Sequence, residues 1–260
     1  MQLVAWPCAA SCVFPPIPST TIHQPFYFTH LMNFLHYLNA LSARLGKYFH
    51  YAVFLLFKKP LYLLSYNTHG NKFVCHGLMS RCSIKVIGGG NEVIIDQGVR
   101  LNNVRITVSG RNNKLILHRG VVFKEGGRVK LEDEGNQIEI GEGTDFVDCF
   151  FAVSDYGSKV TVGRDCMFSA RIIVRTSDVH SILNAEGKRV NPGRDVAIGD
   201  RVWVAYGATI LKGSTIEADS VIGTQSVVAG IHVPRGGVAV GNPARVVKEG
   251  VHWTRERLRG

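Results

Sequence analysis

Residues 198–228 read IGDRVWVAYGATILKGSTIEADSVIGTQSVV, and this stretch decides the fold. An aliphatic residue recurs at every sixth position: Ile198, Val204, Ile210, Ile216, Ile222 and Val228. A helix has a period of 3.6 residues and an ordinary strand a period of two, so neither explains the pattern as one long element. Short flat strands joined by corners do explain it, because one residue in six then points inward. Three hexapeptides complete a coil, which predicts the stacked pairs Ile198–Ile216, Val204–Ile222 and Ile210–Val228.

A longer and less regular repeat precedes this stretch, from Cys82 onward. Four segments begin with a polar residue, and these leading residues, spaced by 22, 23 and 22, are Asn91, Asn113, Asn136 and Ser158. Each segment ends in an aliphatic residue with another apolar residue six positions later, as in the pairs Ile95–Leu101, Leu117–Phe123, Ile140–Phe146 and Val162–Phe168. We interpret each segment as one coil with a short corner excursion, at which Gly and Asn favour left-handed backbone geometry.

The next coil is longer than its neighbours. Val162 and Ile198 are 36 residues apart, which is one 22-residue coil plus 14 further residues. The extra residues fall within the segment 177–194. A long loop that leaves a rigid scaffold is a common place for a functional site, so we expect one here.

After Val228 the period stops. A turn, Val233 to Gly237, precedes a short strand, a Gly241-Asn242-Pro243-Ala244 turn and spaced basic residues that end in a predicted helix. Together, the hexapeptides, the inserted His loop and this closing segment resemble the hexapeptide-repeat acyltransferases, in particular bacterial polysaccharide O-acetyltransferases. The resemblance implies a mainly β fold, a left-handed parallel β-helix. We expect four regions: a poorly ordered extension (1–30), a helical amphipathic segment (31–81), the β-helix with its catalytic loop (82–234) and a basic closing segment with a short C-terminal helix (235–260).

The helical segment near the N-terminus has an apolar face. Apolar residues recur at spacings of three and four from Leu31 to Leu56, and Lys58-Lys59-Pro60 ends the pattern. Two interpretations remain open: the helix packs on protein, or it lies on an anionic membrane surface. No apolar run is long enough to predict a membrane span. Because the organised pattern begins near Met32, one hypothesis is that translation starts there.

Charge and cysteine content restrict the ligands. The net charge is +10, yet residues 1–91 contain seven Lys/Arg and no acid, and residues 235–260 contain six Lys/Arg and two Glu. The basic character therefore belongs to the two ends. The six cysteines form no CxxC pair, which favours free thiols in a reducing cytosol over a zinc site. We expect no metal and no nucleic acid as ligands.

His180 is the candidate catalytic residue. Acetyl transfer to a hydroxyl needs a group that accepts the hydroxyl proton, and neutral imidazole is suitable near pH 7. Ser177-Asp178-Val179-His180 resembles the His motif of these acetyltransferases; the alternative is an ordinary surface histidine. The six-residue phase would point His180 inward, and a buried unpaired imidazole is costly, so the coil is expected to depart from the repeat first. Asp178, Ser177 or a backbone carbonyl is the candidate that orients the ring.

The resemblance also implies a set of residues that bind acetyl-CoA. The six-residue phase predicts that Trp203 points outward, and the resemblance implies that it lies against the thioester end of acetyl-CoA. The alternative is that a neighbouring subunit covers it. The remaining candidates are, for the pantetheine arm, Tyr206, Thr224 and Ala229 and, for the phosphates, Arg245 and Lys248. Gly230 departs from the family, in which a lysine is common at this position.

These features predict a cytoplasmic, acetyl-CoA-dependent O-acetyltransferase that acts on a sugar hydroxyl of a bacterial surface polysaccharide or its precursor. By resemblance it is a homotrimer, and its N-terminal helix is a candidate for peripheral contact with the inner face of the cytoplasmic membrane. Alternatives are an acetyltransferase for serine or a nucleotide sugar, and a non-catalytic β-helical scaffold. A γ-class carbonic anhydrase would need three convergent histidines, which the spacing of His118, His180 and His232 does not provide.

Overall fold

The computed structural model describes residues 3–7, 61–66 and 69–259, and over these ranges the regular structure consists of strands. No helix long and apolar enough to span a bilayer occurs in them. The strands are β1 Leu3–Pro7, β2 Leu61–Tyr66, β3 Lys72–Cys75, β4 Leu78–Ser80, β5 Ser83–Gly89, β6 Glu92–Ile95, β7 Arg100–Asn102, β8 Val104–Arg111, β9 Lys114–Leu117, β10 Val122–Leu131, β11 Gln137–Ile140, β12 Asp145–Val153, β13 Lys159–Val162, β14 Met167–Phe168, β15 Ile172–Arg175, β16 Val196–Ile198, β17 Trp203–Val204, β18 Thr209–Leu211, β19 Thr215–Ile216, β20 Val221–Ile222, β21 Val227–Ala229, β22 His232–Val233, β23 Val238–Gly241 and β24 Ala244–Lys248.

The strands wind into a parallel β-solenoid of about seven coils, consistent with the left-handed β-helix expected from the sequence. Face one is an eight-stranded parallel sheet of β3, β6, β9, β11, β13, β16, β19 and β22. Face two contains β4, β7, the start of β10 and of β12, β14, β17, β20 and β23. Face three contains β2, β5, β8, the ends of β10 and β12, β15, β18 and β21.

The six-residue phase is confirmed in register and in burial. Ile198 pairs with Ile216, Val204 with Ile222 and Ile210 with Val228, and all six side chains are buried. The upstream pairs are also buried, including a column of phenylalanines on face two. In that column the ring centroids of Phe123 and Phe146 are 4.4 Å apart, and those of Phe146 and Phe168 are 4.7 Å apart. Each coil therefore buries its inward row against its neighbours.

The polar residues that lead each upstream segment form a buried ladder. The Oδ1 atoms of Asn91, Asn113 and Asn136 each accept a hydrogen bond of 2.8–2.9 Å from the backbone N–H one coil later, the last of them from Ser158. Their Nδ2 groups donate to backbone carbonyls, as Asn113 does to Ser109 and Asp133. The left-handed geometry expected at these corners is found one residue earlier, at Gly90, Asn112, Gly135 and Gly157. A buried amide satisfied on both sides fixes the stacking of successive coils.

The solenoid begins before the predicted boundary at Cys82. β3 and β4 lie within the segment 31–81, for which we expected helical structure, and they pair with β6 and β7. The inward positions of this first coil include Cys75 and Cys82, both buried, so its aliphatic signal is weak. β1 lies in the extension expected to be poorly ordered, and it pairs antiparallel with β2. The predicted helix from Leu31 to Phe57 lies outside the described residues.

The C-terminal end also differs from the prediction. The predicted short strand after the turn is confirmed as β23, but a further strand, β24, runs antiparallel to it where the sequence predicted only a turn and basic residues. The expected short C-terminal helix is absent from residues 249–259, which are extended or bent. The physical reason is docking, because Trp253 and Arg255 both bond to the solenoid: the Trp253 Nε1–H donates to the Arg201 carbonyl at 2.6 Å, and Arg255 pairs with Asp145.

Candidate active site

The inserted loop is where the sequence places it, between the end of β15 and the start of β16. Its neck is closed by the Arg194 N–H, which donates to the Thr176 carbonyl at 3.0 Å. Its outer part is a small hairpin with an antiparallel bridge between Leu183 and Arg189. The hairpin projects from the corner between face three and face one.

His180 is exposed and lies on the ascending side of this loop. Its backbone N–H donates to the Asp178 carbonyl at 2.8 Å, and its own carbonyl accepts a 2.8 Å hydrogen bond from Asn191 Nδ2. Within the described part of the chain, the imidazole itself makes no hydrogen bond. The inward orientation given by the six-residue phase is therefore avoided, as expected, and the ring nitrogens are available to a substrate.

The residue before His180 has an uncommon backbone conformation. Val179 has φ of +71°, a region that β-branched residues rarely adopt. Its N–H donates to Ser177 Oγ at 3.0 Å, and that hydroxyl donates to Asp155 Oδ2 at 2.8 Å. Such strain persists only where the surroundings maintain it, and it is often found at functional sites.

Asp178 contacts the loop and the next coil rather than the imidazole. Its Oδ2 accepts hydrogen bonds from Lys212 Nζ and, at 2.8 Å, from Asn191 Nδ2. These bonds, Lys212 first, lower the pKa of the Asp178 carboxyl below its ordinary value. Because Asn191 Nδ2 bonds both Asp178 and the His180 carbonyl, the carboxylate is linked to the backbone of His180. No hydrogen bond joins it to the ring of His180 in the described residues.

A second ion pair fixes the far side of the loop. Arg189 donates to both carboxylate oxygens of Asp155, at 3.1 and 2.8 Å, and this contact lowers the pKa of the Asp155 carboxyl. Sequence reasoning missed Asp155, Arg189, Asn191 and Lys212. The 22-residue spacing of Asp155 and Ser177 was a usable signal, because that spacing places residues side by side in neighbouring coils. The others are brought in by the irregular loop.

The residues assigned to the cofactor are spread from face two to the end of face three. Trp203 is half-buried on face two, and Tyr206 and Thr224 are exposed at the corner between face two and face three. Ala229 is exposed at the end of face three. One chain therefore does not bring His180 and Trp203 to the same face.

The C-terminal segment covers part of Trp203. The rings of Trp203 and Trp253 have centroids 6.1 Å apart at 47°, and the Arg255 guanidinium lies 5.8 Å from the Trp253 ring. The sequence allowed for a neighbouring subunit over Trp203, whereas this contact comes from the same chain. Trp253 is thus a further residue of the Trp203 surface.

The basic residues assigned to the phosphates lie on β24, where Arg245 and Lys248 are both exposed. Another cation lies at the position where the sequence lacks a lysine. A Cβ placed on Gly230 would be 3.5 Å from Nη2 of Arg194, and one placed on Gly213 would be 3.0 Å from its Cζ. The guanidinium of Arg194 therefore occupies the space beside Gly230.

Known proteins share this architecture. No family model matches the chain. The polysialic acid O-acetyltransferase of Neisseria meningitidis is 31% identical over 180 residues, which are 69% of this chain and 82% of that relative. The polysialic acid O-acetyltransferase of Escherichia coli O1:K1 / APEC is 34% identical over 123 residues, 47% of this chain but only 39% of that relative. The crystal structure of the polySia-specific acetyltransferase NeuO matches with a TM-score of 0.66 and 30% identity, covering 75% of this chain and 83% of that one.

The chain belongs to the hexapeptide-repeat acetyltransferases. It is an O-acetyltransferase, which removes the carbonic anhydrase and scaffold alternatives. For this acetyltransferase, the loop with His180 and the Trp203 surface are the two parts of the candidate active site, and the fold separates them within one chain.

Proposed function

We propose that the enzyme transfers an acetyl group from acetyl-CoA to a hydroxyl of a bacterial polysaccharide, with His180 as general base. The observation that carries this proposal is the exposed imidazole of His180, free of hydrogen bonds to the described residues, on a loop braced by Asn191, Asp178 and Lys212. A braced backbone with a free ring is suited to a group that must receive and release a proton.

In the proposed reaction, the acceptor hydroxyl oxygen attacks the thioester carbonyl carbon while the imidazole of His180 takes the hydroxyl proton. The tetrahedral intermediate then collapses, the C–S bond breaks, and the proton passes from imidazolium to the leaving thiolate. The products are an O-acetyl ester and free coenzyme A. Asp178 acts through Asn191 on the backbone that carries the base.

The cofactor would extend from the Trp203 surface towards the basic residues near the end of the solenoid. Tyr206, Thr224 and Ala229 lie along this route as candidates for the pantetheine arm. Arg245 and Lys248 are candidates for the phosphates, to which their cationic groups are suited. Arg194 is a further candidate, because it supplies a cation beside Gly230.

A homotrimer would complete the site. Four apolar residues of the loop are more than half exposed and are left uncovered by the described part of the chain: Val179, Ile182, Leu183 and Val190. An exposed apolar cluster of this kind favours association, and closed ring symmetry would bring the loop of one copy to the Trp203 surface of the next. Light scattering should give three times the chain mass at micromolar concentration; a monomer mass would contradict the shared site.

The acceptor class follows from the relatives, which act on polysialic acid by name. The test is thiol release from acetyl-CoA in the presence of polysialic acid, with mass detection of the acetylated polymer. Acetyl transfer to serine or to a nucleotide sugar, with no transfer to any polysaccharide, would show that the acceptor is a small molecule and not a polymer. Use of acetyl-CoA would place the reaction in the cytoplasm. Peripheral membrane contact stays a prediction, since residues 31–57 lie outside the described ranges.

A further inference from the structure

The chain makes a tight turn immediately before His180. The His180 N–H donates to the Asp178 carbonyl at 2.8 Å, and Val179 between them has φ of +71°. A hydrogen bond between residues two apart, with positive φ at the central residue, forms a γ-turn of the rare and strained kind. This turn fixes the direction in which the chain enters His180.

Valine is an unusual residue for this conformation. In the described ranges, every other residue with positive φ is unbranched at Cβ. In the four preceding coils, the corner between face three and face one uses glycine, asparagine or aspartate for it, at Gly88, Gly90, Gly110, Asn112, Asp133, Gly135, Asp155 and Gly157. A β-branched side chain clashes with the backbone at positive φ, whereas glycine adopts it freely. The residue before the candidate base therefore resists its own turn.

Two side chains hold this turn. The Val179 N–H donates to Ser177 Oγ at 3.0 Å, and the Ser177 hydroxyl donates to Asp155 Oδ2 at 2.8 Å. Ser177 is buried, and Asp155 belongs to the preceding coil, so the solenoid sets the position of the hydroxyl. Strained backbone persists only where its surroundings maintain it, and these two residues supply that support.

The carboxylate of Asp155 is itself fixed from several sides. It accepts hydrogen bonds from both terminal nitrogens of Arg189, at 3.1 and 2.8 Å, and the Asp155 N–H donates to Asp133 Oδ2 at 2.9 Å. A Cβ placed on Gly193 would lie 2.9 Å from Asp155 Oδ2, so the returning side of the loop packs against the same carboxylate. One carboxylate therefore contacts both sides of the loop that carries His180.

We propose that Ser177 and Asp155 are positioning residues, which direct His180 towards the substrate by holding Val179 in its strained turn. This assignment rests on the proposed function, in which His180 is the base. Without the hydroxyl, Val179 relaxes to a negative φ, and the imidazole leaves its reactive position. A displacement of about 1 Å lowers turnover about 10²-fold. Binding of acetyl-CoA is little affected, because the residues assigned to it lie on other parts of the solenoid.

A double-mutant cycle separates this role from a general structural one. Its variants are Ser177→Ala, Val179→Gly and the two together. Ser177→Ala should lower kcat at least about 10-fold, with the KM for acetyl-CoA within about twofold of wild type. In the Val179→Gly background, loss of the same hydroxyl should lower kcat less than about threefold, because glycine adopts positive φ without the hydrogen bond. The comparison is made within each background, so the activity of Val179→Gly alone does not enter it.

The carboxylate is tested with Asp155→Asn and a matched control, Asp133→Asn. Both residues have positive φ, which asparagine tolerates. Asp155→Asn removes the charge that holds Arg189 and should lower kcat at least about threefold. In the described part of the chain, the Asp133 carboxylate bonds only to the Asp155 N–H, which an amide oxygen can also accept, so Asp133→Asn should lower kcat less than about twofold. This pair decides the question if Ser177→Ala fails to fold.

The position of the ring is also measured without turnover. In protein labelled with carbon-13 histidine, the ring signal of His180 is assigned by its loss in His180→Ala. That signal should shift in Ser177→Ala, whereas the double variant should have the signal of Val179→Gly.

Equal fold losses of kcat in the two backgrounds would overturn the proposal, as would an unshifted His180 signal in Ser177→Ala or equal effects of Asp155→Asn and Asp133→Asn. Full turnover in His180→Ala would instead contradict the proposed function, and the ring signal would then still decide whether Ser177 sets the position of His180.

Discussion

The hydrogen bonds among Lys212, Asp178 and Asn191 hold the backbone of His180, and we call them the brace. The variant Lys212→Met should weaken the brace, because it keeps the length of the side chain and removes its charge. Lys212 Nζ donates to Asp178 Oδ2 and, at 3.1 Å, to the Asn191 carbonyl. Its side chain is 15% exposed, whereas that of Asp178 is 45% exposed, so solvent screens much of the pairing energy. A hydrogen bond to a charged group contributes about 1.5–3 kcal/mol, and screening reduces this to about 1 kcal/mol.

We expect Lys212→Met to lower kcat/KM for transfer about 5- to 10-fold, the equivalent of about 1–1.4 kcal/mol. The loop lies outside the stacked rows, so Tm should fall by less than about 4 °C. Steady-state kinetics and thermal unfolding measure both effects. Lys188→Met is the matched control: Lys188 is exposed on the same loop, and its hydrogen bonds with Asn184 are made by its backbone. Equal kcat/KM values for Lys212→Met and Lys188→Met would refute a role of Lys212 in holding His180.

The pH dependence separates the brace from the base. The folded-state pKa of Asp178 is lowered, so its contribution is fully present above the ordinary carboxyl pKa of 3.8 and is lost as pH falls through the lower, folded value. The brace is therefore constant from pH 5 upward. Lys212→Met should therefore lower kcat/KM by the same factor at every pH above this point, and a factor that varies with pH there would contradict the assignment.

Further variants test the base, the cofactor site and the ladder. His180→Ala should reduce transfer about 10²–10⁴-fold with little change in Tm, and turnover above a tenth of wild type would show that another residue is the base. Arg245→Ala and Lys248→Ala should each raise the KM for acetyl-CoA more than they lower kcat, because the phosphates are remote from the reacting carbonyl; wild-type KM values in both would refute the tail assignment. Asn113→Ala removes the side-chain partner of the Asn136 N–H and of the Ser109 and Asp133 carbonyls, of which the Asp133 carbonyl keeps a bond from the Arg111 N–H. Urea unfolding should therefore show a loss of roughly 2–5 kcal/mol. Asn102→Ala, at the surface, should cost far less, and an equal loss would argue against the ladder.

The regular part of the fold was predictable because it follows one rule. Ile198, Val204 and Ile210 repeat every six residues and stack on the next coil, so spacing alone gave their register. The position of the loop followed from the residues left over between Val162 and Ile198. The first coil was missed because Cys75 takes an inward position that the pattern expects to be aliphatic.

The parts that escaped prediction depend on contacts without a period. Lys212 is 34 residues from Asp178, and Asn191 reaches back 11 residues to His180, over distances that the loop conformation alone decides. The sequence predicted only part of the asparagine ladder. The repeat of Asn113 and its equivalents was recognised, but these residues were assigned to the corner and the hydrogen bonds of their side-chain amides were not predicted. The backbone of the preceding residue takes the corner, which frees the asparagine side chain to enter the core.

The candidate functional residues lie where the repeat is broken. A regular coil presents the same backbone at every level and satisfies its own polar groups, so it offers little to a substrate. The inserted loop exposes His180, the closing segment brings Trp253 to Trp203, and the irregularity at Gly126 opens a groove lined by arginines. Each departure leaves the inward rows of aliphatic residues unchanged. Substitutions at these three places should therefore alter catalysis or binding with little effect on stability, whereas substitutions in the rows and the ladder should do the reverse.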